Sequence, residues 1–276
     1  MKTLLPKIIG QYINLLSRIA PDKAAKLAFY FFSKPRKGFI TADNLPPILQ
    51  TAKIEFLNHN GISFPVYQWK QSGPEVLLVH GWESNAARWE PFIELLVQHN
   101  FSVISFDGPA HGMAGGKLFS IPDMAGCIAT IQNEFKNPYL IGHSVGGTAS
   151  VYYQHHFKDA HLEKMAIIGA PSDLNKLIDN YNRLLGFNSK TAGHFRNFFE
   201  EKLEGKIEAF SAQRFAKTIE IPGLIYHDKA DEVVLIDEAH KIVQGWKDAV
   251  LKTTEGLGHS MHDESLYRDI IAWLKK

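Results

Sequence analysis

Short apolar runs alternate with longer stretches of helical periodicity along the chain after residue 52. Two of these runs flank Asn60-Gly61, a pair typical of a tight hairpin turn, and they predict an antiparallel opening. Among the later runs, Val76–Val79 is apolar throughout, as in a strand buried on both faces of a parallel sheet. The predicted strands are Ile54–Leu57, Ile62–Trp69, Val76–Val79, Ser102–Phe106, Tyr139–Ile141, Met165–Ile168, Gly223–Tyr226 and Ala249–Thr253.

Helical patterns follow most of these strands. They cover residues 85–99, 121–135, 144–155 and 264–274. A hairpin followed by repeated strand–helix units predicts an α/β fold, with a mostly parallel central sheet and helices on both faces. One interval departs from this alternation, because residues 172–217 show helical clusters and no strand pattern. That interval is too long for an ordinary connection, and it predicts a helical cap inserted between two strands.

The first 50 residues have a different character from the rest. Large apolar residues recur there at steps of three and four, which predicts an amphipathic helix, and a second helix follows Pro21. On the first helix Lys7, Gln11, Asn14 and Arg18 are expected on the polar face. The apolar positions are Leu4, Leu5, Ile8, Ile9, Tyr12, Ile13, Leu16 and Ile19.

Charge divides the chain at the same place. Residues 1–50 hold eight Lys/Arg against two Asp, a net charge of +6, whereas the remainder carries −5. The division predicts a basic helical extension over 1–50 and a main domain over 51–276 that includes the cap. Two interpretations of the extension stay open: docking on the body of the protein, or service as a dimerisation element or as a peripheral membrane contact through residues 1–37.

Composition limits the cellular setting. The 276 residues are 45% hydrophobic and 21% charged, which suits a globular protein with a large core. The single cysteine, Cys127, cannot form an internal disulfide, so an oxidising compartment is not needed. The first 20 residues lack the pattern of a signal peptide, and no apolar run reaches membrane-spanning length. We therefore expect a cytoplasmic protein, with the membrane surface as the alternative location.

The chemistry centres on Gly142-His143-Ser144-Val145-Gly146-Gly147, which matches the G-x-S-x-G pattern. It lies between a predicted strand and a predicted helix, where a tight turn would hold the serine exposed. Glycines at 142 and 146 let neighbouring backbone approach closely. The helix N-terminus would favour negative charge developing near Ser144. These residues predict a nucleophilic serine.

With this motif the chain resembles the α/β-hydrolase superfamily over about residues 52–276. Four other segments contribute to the resemblance in the family's order, each at the end of a predicted strand. They are His80-Gly81-Trp82, Phe106–Gly112, His227–Asp231 and Gly258-His259.

The resemblance implies a role for each residue of the site. Ser144 would be the nucleophile, His259 the general base and Asp231 the acid that orients the histidine. The backbone N–H groups of Trp82 and Val145 would form the oxyanion hole.

Several residues compete for these roles. Asp228 and Asp173 are alternative acids, and His262 is an alternative base. Two further histidines, His80 and His111, fall in family motifs where histidine holds loops by hydrogen bonds. At the variable position of the elbow, His143 is expected to pack or to line the pocket.

The resulting hypothesis is a serine hydrolase that cleaves a carboxylic ester or thioester, with an apolar acyl group suggested by the aromatic, leucine-rich cap. No metal and no organic cofactor are implied. The expected partner is a small-molecule ester or acyl substrate, not a nucleic acid, and the sequence leaves the oligomeric state open. Amide, peptide or carbon–carbon bond hydrolysis, cofactor-free perhydrolysis and non-catalytic binding of a small molecule remain alternatives.

Overall fold

The computed structural model describes residues 4–276, so the first three residues of the basic extension lie outside the described part. Eight strands and eleven α-helices are found in that range. The strands are β1 (Lys53–His59), β2 (Ile62–Trp69), β3 (Glu75–Val79), β4 (Ser102–Phe106), β5 (Tyr139–His143), β6 (Lys164–Ile168), β7 (Gly223–Asp228) and β8 (Ala249–Thr254). The helices are α1 (Leu4–Ile19), α2 (Pro21–Ser33), α3 (Pro47–Gln50), α4 (Glu90–Gln98), α5 (Ile121–Phe135), α6 (Val145–Phe157), α7 (Leu174–Leu185), α8 (Ser189–Leu203), α9 (Ala212–Ala216), α10 (Asp237–Gly245) and α11 (Glu264–Leu274).

All eight strands belong to one sheet, in the order β1-β2-β4-β3-β5-β6-β7-β8. The first two pairings, β1 with β2 and β2 with β4, are antiparallel. Every later pairing is parallel. The predicted α/β class with a mostly parallel sheet is therefore confirmed.

Local chemistry sets many of the element boundaries. Asn60 and Gly61 both have positive φ angles, 48° and 80°, which a tight β1–β2 turn of this kind requires. The α5 helix begins where the Ser120 hydroxyl accepts a hydrogen bond from the Asp123 N–H. Asp263 caps α11 in the same way through the Leu266 N–H. Sequence analysis did not predict α10, in which only three of nine residues are apolar, namely Ala239, Ile242 and Val243.

Contacts between Cα atoms divide the chain into two compact units. The first, which we call the helical unit, comprises residues up to Lys34 together with Asp173–Ser211. The second, the sheet unit, comprises Pro35–Ser172 and Ala212–Lys276. This grouping differs from the division at residue 50 expected from sequence, since it joins α1 and α2 to the helices inserted between β6 and β7.

The helical unit has a core of its own, to which both of its segments contribute. Ile13 and Ala28 from the first segment are buried with Ile178 and Phe195 from the second. Aromatic side chains extend this core, and Phe32 lies edge-on to Phe199 with ring centroids 5.3 Å apart. Because each segment supplies only part of the apolar surface, the two segments stabilise each other.

In the sheet unit, alternate strand residues face a core shared with α4 and α11. Val76 and Leu78 of β3 lie in this cluster, as does Ile141 of β5. Stacking of Phe92 on Tyr267, with ring centroids 4.4 Å apart, joins α4 to α11.

Cys127 is buried and unpaired, and burial raises the pKa of its thiol. No helix among residues 4–276 is both long enough and apolar enough to cross a bilayer.

Helix α1 approaches α7 very closely at one point. A Cβ atom added to Gly10 would lie only 1.7 Å from the backbone oxygen of Leu185. A few residues on, the side chain of Asn14 donates to the Gly186 carbonyl (3.0 Å) and accepts from the Asn188 N–H (3.1 Å). Asn14 is therefore buried, whereas the sequence analysis placed it on the polar, solvent-facing side of the helix.

This contact leads to a stability prediction. We expect Gly10→Ala to lower the free energy of unfolding by about 1–3 kcal/mol, because the new methyl group must push α1 away from α7. Urea or thermal unfolding of purified protein measures the effect. Gly193→Ala is the matched control, since Gly193 lies exposed within α8 with no atom within 4 Å of its added Cβ. The control should be stabilised by about 0.5–1 kcal/mol through better helix propensity. Equal unfolding free energies for the two variants would contradict the close α1–α7 contact.

Candidate active site

Ser144 occupies a strained backbone position between β5 and α6. Its φ and ψ angles are 53° and −129°, which a residue with a side chain rarely adopts. A hydrogen bond from its own N–H to the Ile168 carbonyl (2.8 Å) holds this turn to the neighbouring strand. Crowding requires glycine around it, because a Cβ on Gly146 would lie 2.3 Å from the His80 carbonyl oxygen. The predicted strand–turn–helix context of Ser144 is therefore present.

Three side chains from the ends of separate strands meet at this turn. The Ser144 hydroxyl lies 3.0 Å from Nε2 of His259. Nδ1 of the same imidazole lies 2.7 Å from Oδ2 of Asp231. A hydroxyl, an imidazole and a carboxylate thus form one hydrogen-bonded chain, the arrangement that allows a serine to lose its proton as it attacks.

The loop after β7 fixes the orientation of Asp231. Its second oxygen, Oδ1, accepts hydrogen bonds from the Val233 and Val234 N–H groups at 2.8 and 2.9 Å. Burial alone would raise the pKa of this carboxyl, but the hydrogen bonds from His259 and from the two backbone groups lower it overall. Asp231 is therefore ionised near neutral pH and faces Nδ1 of His259 as a carboxylate.

Asp228, the last residue of β7, holds loops together by hydrogen bonds. Its oxygens accept from the Thr254 hydroxyl (2.8 Å) and from the N–H groups of Leu257 (3.0 Å) and Ala230 (2.9 Å). Burial opposes ionisation, but these donors outweigh it and lower the pKa of Asp228 to about 2. Asp228 thereby ties the loop that carries Asp231 to the loop that carries His259.

The other competing residues have partners elsewhere. Nδ1 of His262 lies 2.7 Å from the Tyr267 hydroxyl. Asp173, in the helical unit, accepts a hydrogen bond from the Ser211 hydroxyl. Neither is a hydrogen-bond partner of the His259 imidazole, which bonds to Ser144 and Asp231.

His80 and His111 hold loops, as the resemblance implied. Nε2 of His80 accepts from the Gly108 N–H (2.8 Å), so its Nδ1–H donates to the Gly81 carbonyl. His111 accepts from the Glu83 N–H in the same way, and its other nitrogen donates to the Pro109 carbonyl. Burial lowers the pKa of both rings, to about 3 for His80, so both act as neutral donors and acceptors.

The aspartate of the segment Phe106–Gly112 is a structural anchor. Asp107 is buried and accepts from the Tyr67 hydroxyl (2.8 Å) and from the N–H groups of Ala86 and Met113 (both 2.9 Å). These bonds join β2, the loop after β3 and the turn after β4. Desolvation raises the pKa of Asp107 despite its three donors.

Two residues that hold the His259 loop were not predicted. Nε2–H of the buried His143 donates to the backbone carbonyl of His259 (2.8 Å). Burial, with the Arg88 charge nearby, lowers the pKa of His143 far below its usual range, so its ring is neutral. Arg88 itself donates to the next carbonyl along, that of Ser260 (3.1 Å). The sequence offered little indication of this role for His143, because the G-x-S-x-G motif accepts any residue at that position.

His227 supports the opposite side of the site. Its Nε2–H donates to the Val234 carbonyl (2.7 Å) and lies 3.6 Å from Oδ2 of Asp231. Burial lowers the pKa of His227, so this neighbour does not place a second cation beside Asp231. The sequence showed that His227 stands next to Asp228 in the motif. It did not show that His227 contacts the loop that carries Asp231.

The two backbone groups expected to bind an oxyanion lie beside Ser144. Val145 is the first residue of α6, where a helix leaves its N–H groups without intrahelical partners. Trp82 directly follows Gly81, whose backbone lies close to Ser144: a Cβ atom added to Gly81 would be only 2.9 Å from the Cβ atom of Ser144. Within residues 4–276, neither the Val145 nor the Trp82 N–H has a hydrogen-bond acceptor. Both groups are therefore free to donate to a bound oxygen atom.

Metal-ligating side chains are not gathered in the described part of the chain. No group of three or more His, Cys, Asp or Glu residues there has the geometry to hold an ion.

Comparison with known proteins agrees with this architecture. The chain is 24% identical over 255 residues to a non-heme haloperoxidase of Rhodococcus erythropolis, covering 74% of this chain and 93% of that protein. A shorter stretch of 79 residues is 38% identical to a pimeloyl-[acyl-carrier protein] methyl ester esterase of Pseudoalteromonas atlantica, covering 28% of this chain and 30% of the esterase. Among solved structures, an esterase from Exiguobacterium antarcticum matches with a TM-score of 0.64 at 17% identity, over 80% of this chain and 99% of that one.

A family model extends these similarities to a classification. The model of the α/β-hydrolase fold matches residues 74–225, just over half of the chain, including the strand–turn–helix around Ser144. The protein therefore belongs to the α/β-hydrolase family.

Proposed function

We propose that the protein is a serine hydrolase that cleaves a carboxylic ester or a thioester through an acyl-enzyme intermediate. The observation that carries the proposal is the hydrogen-bonded chain from Ser144 through His259 to Asp231, with distances of 3.0 and 2.7 Å. The similarity to a pimeloyl-[acyl-carrier protein] methyl ester esterase supports the choice of ester bonds.

In the first half of the reaction, Ser144 Oγ attacks the acyl carbonyl carbon while His259 Nε2 takes the hydroxyl proton. Asp231 stabilises the imidazolium through the Nδ1–H bond, and the neutral His143 adds no opposing charge. The tetrahedral oxyanion accepts hydrogen bonds from the N–H groups of Val145 and Trp82. One such donor is worth about 2.7–4 kcal/mol of barrier in other serine hydrolases.

Collapse of the tetrahedral intermediate breaks the bond to the leaving group, which takes the proton from His259 and departs as an alcohol or thiol. Water then attacks the Ser144 ester, with His259 again acting as the base. The acid product leaves, and the Ser144 hydroxyl is restored. The backbone bonds to Asp231 and His259 keep the three side chains aligned through both halves.

Perhydrolysis is a second candidate activity, favoured by the resemblance to the haloperoxidase over most of that protein's length. Hydrogen peroxide would attack the acyl-enzyme in place of water, giving a peroxyacid and free Ser144. The peroxyacid would oxidise bromide to hypobromite and revert to the carboxylic acid. Bromination of a dye with acetate, peroxide and bromide present measures this activity, and a rate no higher than that of Ser144→Ala would exclude it.

The first test of the proposal uses p-nitrophenyl esters from acetyl to palmitoyl. We expect measurable hydrolysis by the wild-type protein and a loss on the order of 10⁴-fold or more in Ser144→Ala, because no other group supplies the nucleophile. The dependence of the hydrolysis rate on acyl length shows which acyl group the site prefers. A fluorophosphonate probe should label the wild-type protein at Ser144. Absence of both hydrolysis and labelling in folded protein would favour non-catalytic binding of a small molecule.

A second test distinguishes Asp231, in the loop after β7, from Asp228 at the end of that strand. Asp231→Asn should lower kcat about 10⁴-fold, because the amide favours the wrong tautomer of His259. Asp228→Asn is the matched control and should keep far more activity. It should instead lose about 1–3 kcal/mol of unfolding free energy, since the amide NH2 group replaces either Oδ1, which accepts from the Ala230 N–H, or Oδ2, which accepts from the Leu257 N–H and the Thr254 hydroxyl. The reverse ranking of kcat would overturn the assignment of Asp231.

The ionisation of Asp228 also predicts how the stability of the protein depends on pH. The pKa of Asp228 is lower in the folded protein than its ordinary 3.8, so its ionisation stabilises the fold above that pH. This stabilisation is lost as the pH falls from about 3.8 toward 2. Asp228→Asn should therefore lose less stability than the wild type over that interval, as measured by thermal unfolding at each pH. Parallel acid profiles of the two proteins would contradict the prediction.

A further inference from the structure

Helix α1 turns its most apolar side to solvent. Its buried residues are mostly small or polar, namely Gly10, Asn14 and Ser17, with Ile13 as the large exception. Six large apolar side chains are instead exposed by 56–81%, and we call them the α1 stripe. They are Leu4, Leu5, Ile8, Tyr12, Leu15 and Ile19. From Leu5 onward their spacing alternates between three and four residues, so they lie along one face.

The rotation of α1 within the helical unit is fixed, so the stripe cannot turn inward. Gly10 packs directly on the Leu185 backbone, where no larger residue fits. Asn14 makes two hydrogen bonds, with the Gly186 carbonyl and the Asn188 N–H. Rotating the helix would break both bonds and force a large side chain against backbone atoms. The exposure of the stripe is therefore a property of the packed unit.

Positive charge borders the stripe. Lys7 and Arg18 are exposed and each lies three residues from a stripe residue, next to Leu4 and Leu15 respectively. Lys23 and Lys26 are exposed on the following helix, α2. Residues Leu4–Ile19 contain no Asp or Glu. Among the described residues, none of these four cations has an ion-pair partner, so the charge is available to an external anion.

We propose that the α1 stripe binds the surface of an anionic phospholipid bilayer, with the helix lying in the plane of the interface. An apolar face bordered by lysine and arginine is the composition of such helices, and the cations would contact lipid phosphates. The proposal rests on α1 and α2 alone and holds whether or not the protein is a hydrolase.

Charge favours the bilayer over a second copy of the chain. Two α1 helices packed stripe to stripe would bring Lys7 and Arg18 of each copy together without any acidic residue on the helix to pair with them. A bilayer containing anionic lipid supplies the missing negative charge over its whole surface.

Vesicle flotation with the full chain tests the proposal. The wild-type protein should float with vesicles of phosphatidylcholine and phosphatidylglycerol, and much less with phosphatidylcholine alone. The double variant Ile8→Gln/Leu15→Gln should bind the anionic vesicles at least about tenfold more weakly, because it removes apolar contact at exposed positions. Lys7→Gln/Arg18→Gln should weaken binding several-fold and reduce its dependence on salt.

Val250→Gln is the matched control. Val250 is 57% exposed on β8 of the sheet unit, against 58% for Leu15, so its replacement removes a similar exposed surface elsewhere. It should float like the wild type, and all variants should unfold at the wild-type temperature. Failure of the wild type to float with anionic vesicles, or equal binding by Ile8→Gln/Leu15→Gln, would overturn the proposal. A dimer seen by light scattering that this variant converts to a monomer would assign the stripe to a second copy, and so would overturn it too.

Discussion

The left-handed backbone at Ser144 is the constraint on which the site depends. A positive φ at a residue with a side chain costs about 1–3 kcal/mol, and the turn persists only because its surroundings oppose relaxation. The bond from the Ser144 N–H to the Ile168 carbonyl holds it on one side, and the close packing of Gly146 on the His80 carbonyl holds it on another. The turn brings the hydroxyl to His259 and leaves the Val145 N–H free at the start of α6. A relaxed backbone at Ser144 would disturb both features together.

Five histidines lie around that turn, and four of them have contacts different from those of His259. His80, His111, His143 and His227 each donate one ring N–H to a backbone carbonyl, and burial lowers the pKa of all four. All four are neutral; His80, His111 and His143 join segments that are distant in sequence, whereas His227 holds the loop that follows its own strand. His259 has a carboxylate on one nitrogen and a hydroxyl on the other. A proton gained by His259 therefore meets a negative charge on one side and no cationic histidine nearby.

How far the sequence predicts this molecule depends on how local the determining interaction is. The strands were predicted to within a few residues, because most are short, largely apolar runs and the first two flank a recognisable turn at Asn60-Gly61. The meeting of Ser144, His259 and Asp231 was expected from the resemblance to the α/β-hydrolase superfamily, and in the fold it arises because the carboxyl ends of parallel strands share one edge of the sheet. The helical unit was not predicted, because its two segments are separated by more than a hundred residues and are joined by tertiary contacts, such as the Asn14 hydrogen bonds and the shared core, that no local pattern specifies. The bond from His143 to the His259 carbonyl was missed for the same reason, since nothing adjacent in sequence specifies it.

Helix α1 shows how contact geometry can override amphipathicity. Its apolar residues span about half of the helix circumference, so the periodic pattern alone does not say which part of that arc is buried. Close approach to the Leu185 backbone is possible only along the side with Gly10, Asn14 and Ser17, and that approach yields two buried hydrogen bonds. The large side chains of the α1 stripe consequently remain in water, where each forgoes up to about 1.5–3 kcal/mol of burial free energy. That free energy would be gained in any apolar phase that the helix met, and we propose that the flanking cations favour a phase with a negatively charged surface.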